Sequence, residues 1–392
     1  MVEIKQEVRL HSWIFFLYGF FGMAWVPRFP ELKAFLGLTN GEFGSLITAG
    51  TFGALASLLT MGHVVHQYGV RRVLFWSNIA VVISLITVVN ISSAFVFLLC
   101  NISFGFSVAS YHLAANAHAF HIQKRTGGLI IAKFHGAWAM GVVATSILSG
   151  AVAEFLPLNR HIEIVVIGCT FALIYVLKKL GPALDYHDDS EGTDVRIRDL
   201  LKSFKVDWLV SFGLLAAVLL EWSATDWATI YTREEIGVRP SLAAVPYIAF
   251  MTAMIYGRLN GTKFSNAIGN FKLIQWLSLF GSVNFLIFIW ISAALKGNHQ
   301  TAAYVATIIA FAAAGFGCSS LAAAFYSAAT NRSSLPNAVI VGQVGVVLNT
   351  LALGLKPIIA WVAQWSGSLV LALTIPAVIL FTARYFAKVA KS

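Results

Sequence analysis

Long apolar stretches alternate with short polar gaps along the whole chain. Each stretch is close to what a helix needs to cross about 30 Å of hydrocarbon, roughly 20 residues at 1.5 Å per residue. Twelve windows of this kind are expected, near residues 12–30, 43–62, 73–92, 94–120, 127–155, 161–178, 207–232, 241–258, 273–294, 301–328, 337–361 and 367–387. Inside lipid each backbone N–H and C=O must find its partner within the segment, so such windows are read as helices. Lys and Arg avoid the windows and collect in every second gap. With the N-terminus inside, and with the window-edge residues Arg28, Lys178, Arg258 and Arg384 counted in the adjoining gaps, the inner gaps hold 19 of the 27 Lys and Arg and the outer gaps hold 6, while Lys133 and Lys356 fall within windows. Positive charge biases loops to the cytoplasmic side, which predicts an even helix number and both termini in the cytoplasm of a cell (inner) membrane protein.

Composition narrows the class. Hydrophobic residues make up 58% and charged residues 11%, with a mean hydropathy of +0.78, against about 45–50% and 25% for a soluble domain. The net charge of +10 is assigned to loops facing anionic lipid, and no basic patch or motif for nucleic acid accompanies it. The opening MVEIKQEVRL runs into the first apolar window without a small-residue cleavage site, so an uncleaved first helix is expected. Cys100, Cys169 and Cys318 lie in separate windows without metal-ligand spacing. Disulfides, zinc and other cofactors are therefore not expected.

The longest polar interruption divides the chain into residues 1–178, a linker at 179–206, and residues 207–392. Within the linker, an acidic stretch from Asp185 to Asp194 precedes a basic amphipathic segment in which Ile197, Leu200, Leu201 and Phe204 alternate with Arg196, Arg198, Lys202 and Lys205. Such a segment is suited to lie on the cytoplasmic leaflet. The flanking halves echo each other at an offset of 200: Leu36-Gly37-Leu38 meets Ile236-Gly237-Val238, Gly69 meets Gly269, and Trp76 meets Trp276. After a slip of twelve, Phe104-Gly105-Phe106-Ser107 answers Phe316-Gly317-Cys318-Ser319. Six-plus-six parallel duplication belongs to transporters in which one half moves against the other.

The loop from Gly62 through His66 and Gly69 to Arg71 and Arg72 resembles the Gly-x-x-x-Asp-Arg-x-Gly-x-Arg-Arg loop of the major facilitator superfamily, with a weaker copy from Gly257-Arg258 to Gly269. A bacterial branch loosely akin to the fucose-permease type is resembled further by Trp25, Arg28 and Pro30; Asn116 and Ala119; Phe134 and His135; and Glu221, Asp226, Trp227 and Tyr231. The resemblance implies an all-α membrane protein of twelve helices in two pseudo-symmetric six-helix bundles, with the first, fourth, seventh and tenth helices lining the substrate cavity. One departure stands out: His66 replaces the loop aspartate and Asn266 the second-half acid. His66 is then either a pH-sensitive substitute or a solvated loop histidine.

Charges inside spans require a reason. On the seventh span Glu221 and Asp226 are five residues apart, about 140° around the axis, so two jobs are expected of them. Glu221 is either a proton-binding carboxylate or one tied to a neighbouring helix. Arg28 sits at a depth similar to that of Asp226, and the resemblance pairs them as an outer gate, the alternative being that both face water. The cytoplasmic gate loop comprises Gly62, His66, Gly69, Arg71, Arg72 and Arg258. Cavity candidates are Tyr18, Trp25, His112, Asn116, Trp222, Ser319, Ser320 and Tyr326, since aromatic faces suit sugars and rings; each is alternatively a packing or lipid-facing residue. His135 is assigned a structural role, and Lys356 is expected to snorkel to the interface beside Trp361.

The sequence thus predicts a monomeric secondary transporter for a sugar or small metabolite, working by alternating access with proton coupling at Glu221. No phosphate-binding Gly-rich loop for ATP occurs. Efflux of amphipathic compounds, a membrane-embedded enzyme using His112, Asn116 and Glu221, and a transporter-like sensor remain the alternative readings.

Overall fold

A computed structural model describes residues 3–126, 130–184, 204–333 and 337–390. The acidic stretch of the linker and its amphipathic segment, except Phe204 and Lys205, lie outside the described residues. Helices account for nearly all of the described chain, and among the described residues there is no strand. The spans are α1 (Ile4–Leu36), α2 (Asn40–Tyr68), α3 (Val70–Asn90), α4 (Ala94–Thr126), α5 (Ile131–Val152), α6 (Leu158–Leu184), α7 (Trp208–Glu235), α8 (240–268), α9 (270–295), α10 (Gln300–Asn331), α11 (Val339–Ser366) and α12 (Leu369–Ala390). The protein is an all-α membrane protein of twelve spans.

One of those divisions rests on a single glycine. Hydrogen bonding runs almost unbroken from Pro240 to Leu295, but Gly269 has φ 77° and ψ 153° and turns the chain between α8 and α9. Gly69, 200 residues earlier, has φ 82° and ψ 155° between α2 and α3. That backbone region is open essentially to glycine alone, so the duplication read from sequence is repeated in backbone conformation. Trp76 and Trp276, seven residues beyond these turns, are both 65% exposed.

Several helices outrun their apolar windows. Polar residues extend α4 to Thr126 and begin α1 at Ile4, because helices continue past the hydrocarbon until a turn or break stops them. Conversely, α5 occupies Ile131–Val152, shorter than its window of 127–155.

Two compact units emerge. The first comprises Met1–Trp25, Phe35–Gly37 and Ala49–Leu201, and the second Val26–Ala34, Leu38–Thr48 and Lys202–Ser392. Within the first, α1 packs on α5, α2 and α3 pack on α4, and α3 also packs on α6. A Cβ on Gly105 would run into the backbone of Gly50, and one on Gly53 into that of Ile102, which places α2 and α4 in backbone contact. Small residues permit such crossings where lipid supplies no hydrophobic drive for association. Within the second unit α10 packs on α8 and α9, α12 packs on α7 and α9, and α11 packs on the segment Asn40–Thr48. Apolar side chains such as Phe95, Phe155, Phe171, Leu259 and Trp365 point outward, as expected where the solvent is hydrocarbon.

Candidate functional site

Helix α7 sets the chemistry of the second unit. It starts at Asp207, whose carboxylate caps the backbone N–H of Val210, and proceeds through an almost wholly buried apolar helix to Glu221 and Asp226. Five residues separate these carboxylates by about 7.5 Å along the axis and about 140° around it. The structure gives each its own cation. Arg258 of α8 reaches both Glu221 oxygens through Nη2, at 3.1 and 3.2 Å, and donates from Nε to the Ser319 carbonyl at 3.2 Å. Lys356 of α11 meets Asp226 at 2.8 Å, with side chains only 16% and 12% exposed. Tyr247 of α8 is fully buried, and its hydroxyl has no hydrogen-bond partner among the described residues.

Close helix crossings fix this arrangement. A Cβ on Gly257 would collide with the Ser319 side chain, and one on Gly261 with the Ser320 hydroxyl. Ser320 in turn donates to the Gly257 carbonyl at 3.3 Å. Ser319 and Ser320 mark the break in α10 between its two helical pieces, Gln300–Cys318 and Leu321–Asn331. Their hydroxyls are committed to backbone carbonyls, Ser319 to that of Phe316 at 2.7 Å. Trp222 and Tyr326 are half-buried on α7 and α10.

A second ionic group lies in the same unit. Lys33 bonds both Glu234 oxygens, at 2.9 and 2.6 Å, and also the Asn40 side chain. The Asn40 backbone N–H donates to Gln364 of α11 at 3.1 Å, and Trp361 donates to Ser45 at 3.1 Å. Gly41 faces the Trp361 ring, where no side chain would fit, and Gly44 faces Trp227 and Ala360 in the same way. The segments Val26–Ala34 and Leu38–Thr48 are thereby latched to α7 and α11.

Sequence reasoning placed Arg28 opposite Asp226. In the structure Arg28 is a fully buried guanidinium bidentate on Glu31, one turn along its own helix, while Asp226 is held by Lys356. Lys356 therefore turns inward to a carboxylate rather than snorkelling to the interface. Arg258, assigned to the cytoplasmic gate loop, pairs with Glu221. The other loop residues stay together: His66, Gly69, Arg71 and Arg72 line one cavity, with Gly62 exposed a turn before it on α2.

In the first unit Tyr18 and His112 belong to one group of packed rings. Tyr18 stacks on Tyr111 (5.1 Å between ring centroids) and on His112 (5.8 Å), and Trp138 lies 6.4 Å away. His135 meets His112 edge-on at 5.6 Å, and Asn116 donates to the His112 carbonyl one turn back. Trp25 is buried against Phe97 and Phe104. Tyr18, His112 and His135 are thus neighbours on α1, α4 and α5.

Residues that the sequence did not single out include Lys33, Glu234 and the role of Lys356. They also include Glu7, a carboxylate only 1% exposed that accepts from Arg125 at 2.9 Å through both oxygens, with the buried His118 at 3.5 Å. Its signal was weak. Glu7 precedes the first apolar window, and only the partner on α4 shows that it is buried.

Comparisons with known proteins agree with this architecture. The sequence profile of the Major Facilitator Superfamily matches residues 12–357. An uncharacterised MFS-type transporter of Yersinia pestis is 26% identical over 90% of this chain and 88% of its own. The membrane protein MosC of Rhizobium meliloti is 23% identical over 93% and 85%. Among solved structures, a variant of the nucleoside transporter NupG superposes with a TM-score of 0.76 at 11% identity over the full length of both chains. The D-xylose-proton symporter superposes with 0.70 at 11% identity over 97% and 96%. Twelve spans, duplicated glycine turns and a profile match over most of the sequence agree: the chain belongs to the major facilitator superfamily of membrane transporters.

Proposed function

We propose that this protein is a secondary active transporter that carries a small polar solute of the sugar or nucleoside class across the cytoplasmic membrane by alternating access. In this reading it is a proton-coupled monomer of two six-helix halves, residues 1–178 and 207–392, with both termini inside. The observation that carries the proposal is the pair of separately countered carboxylates on α7, Glu221 with Arg258 and Asp226 with Lys356. A carboxylate on a membrane helix is costly unless it is countered, and a nearby cation favours its charged form, so a proton takes the cation's place only when the pair separates. Protonation of Glu221 frees Arg258, so the ion pair is broken and remade once per cycle.

The remaining pieces take their roles around that step. Release of Lys33 from Glu234 and of Lys356 from Asp226 loosens the outer tips of α1 and α2 from α7 and α11. Arg28, braced by Glu31, stiffens the tip that moves. The packed rings of Tyr18, His112 and Trp138 offer flat apolar faces with polar edges, which suits a ring-shaped solute. Two structures that share the fold are named as a nucleoside transporter and a D-xylose-proton symporter, which favours this solute class.

A thermal-shift screen of purified protein against sugars, nucleosides, organic acids and hydrophobic cations identifies the solute first, and a polar ring compound is expected to stabilise. Uptake into proteoliposomes with and without an imposed pH gradient then tests coupling. Wild type is expected to accumulate solute with the gradient, and Glu221→Gln to retain exchange but lose accumulation. Accumulation by wild type that ignores the gradient, or that is unchanged in Glu221→Gln, overturns the proton assignment.

A further inference from the structure

The turn from α2 to α3 and the end of α6 enclose a cavity of about 660 Å³ lined by His66, Arg71, Arg72 and Lys178, with the aromatic rings of Tyr68, Phe75 and Trp76 and the aliphatic Ile174 and Leu177. Three of its lining residues are permanent cations, and none is acidic. The first turn of α3 also lacks an acid. At its outer edge Trp76 is 65% exposed and Tyr175, one turn from Lys178 on α6, is 60% exposed. Three cations and several apolar side chains share one lining, which makes the site amphipathic with one sign of charge.

We infer that this cavity binds the phosphodiester headgroup of an anionic phospholipid, its acyl chains lying along Trp76 and Ile174. The positive-inside count assigns this end of the helices to the cytoplasmic leaflet, where basic groups near the surface attract anionic lipid at about 1 kcal/mol per Lys or Arg. A free phosphate would satisfy the cations but leave Phe75, Trp76 and Ile174 without a partner, so the lipid is the better fit to the whole lining. The replacement of the superfamily's loop aspartate by His66 takes a repelling carboxylate out of this site.

The internal duplication supplies a built-in control. At the offset of 200, His66 becomes Asn266, Arg71 becomes Phe271 and Arg72 becomes Lys272, so at these three positions the second copy has one permanent cation where the first has two, its other cation being Lys263, while it keeps its glycine and tryptophan. The selectivity is expected at the first copy only. The inference stands apart from the transport reading, since lipid retention is measured without any solute or pH gradient.

Purified full-length protein is reconstituted in phosphatidylcholine nanodiscs containing a minor fraction of phosphatidylglycerol, and the lipid retained after extraction is quantified by mass spectrometry. Wild type is expected to be enriched in phosphatidylglycerol. R71Q/R72Q/K178Q should lose affinity on the order of 100-fold, about fivefold per cation, whereas K263Q/K272Q, which removes two cations at the second turn, should bind like wild type. Unfolding temperatures in lipid-free detergent establish that both variants fold. For a variant that does not fold, the arm is replaced by competition on wild type: raised inorganic phosphate should leave the retained lipid unchanged. Equal enrichment in the folded triple variant and wild type, loss of enrichment in K263Q/K272Q, or displacement of lipid by phosphate at low millimolar concentration overturns the assignment.

Discussion

The Asp226–Lys356 pair allows a quantitative test of how the second unit is held together. Its charges are 2.8 Å apart and largely shielded. At an effective dielectric constant near 20, their attraction is about 6 kcal/mol. Most of that offsets the cost of removing both groups from water, so the net value of the pair is far smaller than its Coulomb energy. Loss of one partner is a different matter, since it strands a shielded charge at about 3–5 kcal/mol. Asp226→Asn and Lys356→Met should therefore each lower thermal stability markedly, while the double variant regains most of the loss. The assay is a double-mutant cycle on the unfolding of detergent-solubilised protein by fluorescence-detected size exclusion. A coupling energy above about 1.5 kcal/mol is expected, as for groups in direct contact. If the two single losses simply add in the double variant, Lys356 does not neutralise Asp226 and the inward turn of that lysine is refuted.

Further outcomes follow from the same geometry. Lys33→Gln or Glu234→Gln should increase the labelling of a cysteine introduced at Ser45 by a membrane-impermeant thiol reagent, and the charge-swapped pair K33E/E234K should bring it back down; labelling that ignores both changes argues against the latch. Gly257→Ala should reduce stability by about 1–3 kcal/mol because its Cβ meets Ser319, and pairing it with Ser319→Gly should recover most of that loss in a thermal melt. Glu7→Gln leaves the half-exposed Arg125 without its carboxylate at the start of α1, and a lower unfolding temperature than wild type is expected. An unchanged melt would show that this ion pair contributes nothing measurable.

What the sequence made legible was whatever local periodicity and punctuation encode. Apolar runs of membrane-crossing length gave twelve spans, and Gly69 and Gly269 gave the turns. The offset of 200 matched those two glycines, and their turns share a backbone conformation. Pairing between helices was not legible. Arg28 and Lys356 are both cations whose depth suits Asp226, and depth alone shows neither that Glu31 braces Arg28 nor that Lys356 meets Asp226. Lys356 precedes Pro357, which lacks the N–H that would close the helix onto Leu353. A sequence window reports the depth of that lysine but not the direction in which its helix turns it. Glu7 escaped notice for a related reason, because burial of a polar helix end depends on a partner more than a hundred residues away.

The duplication also exposes a division of labour. Positions 21 and 26 of α1 are Phe and Val where α7 has Glu221 and Asp226, while Tyr18 corresponds to Val218. The two copies have diverged so that one opening helix contributes an aromatic face and the other contributes countered carboxylates. If the aromatic face holds the solute and the carboxylates drive the cycle, substitutions in the two should separate kinetically. Tyr18→Leu removes a ring stacked on Tyr111 and His112 and should raise the KM for the solute by about tenfold with little change in kcat, an effect of the size expected for a lost ring contact. Tyr18→Phe keeps the ring and should stay near wild type. Glu221→Gln should instead lower the rate of gradient-driven uptake while leaving solute binding, measured by thermal shift, close to wild type. Tyr18→Leu with unaltered KM, or Glu221→Gln with abolished binding, would mean that both helices contact the solute alike and that the sequence divergence between them has another cause.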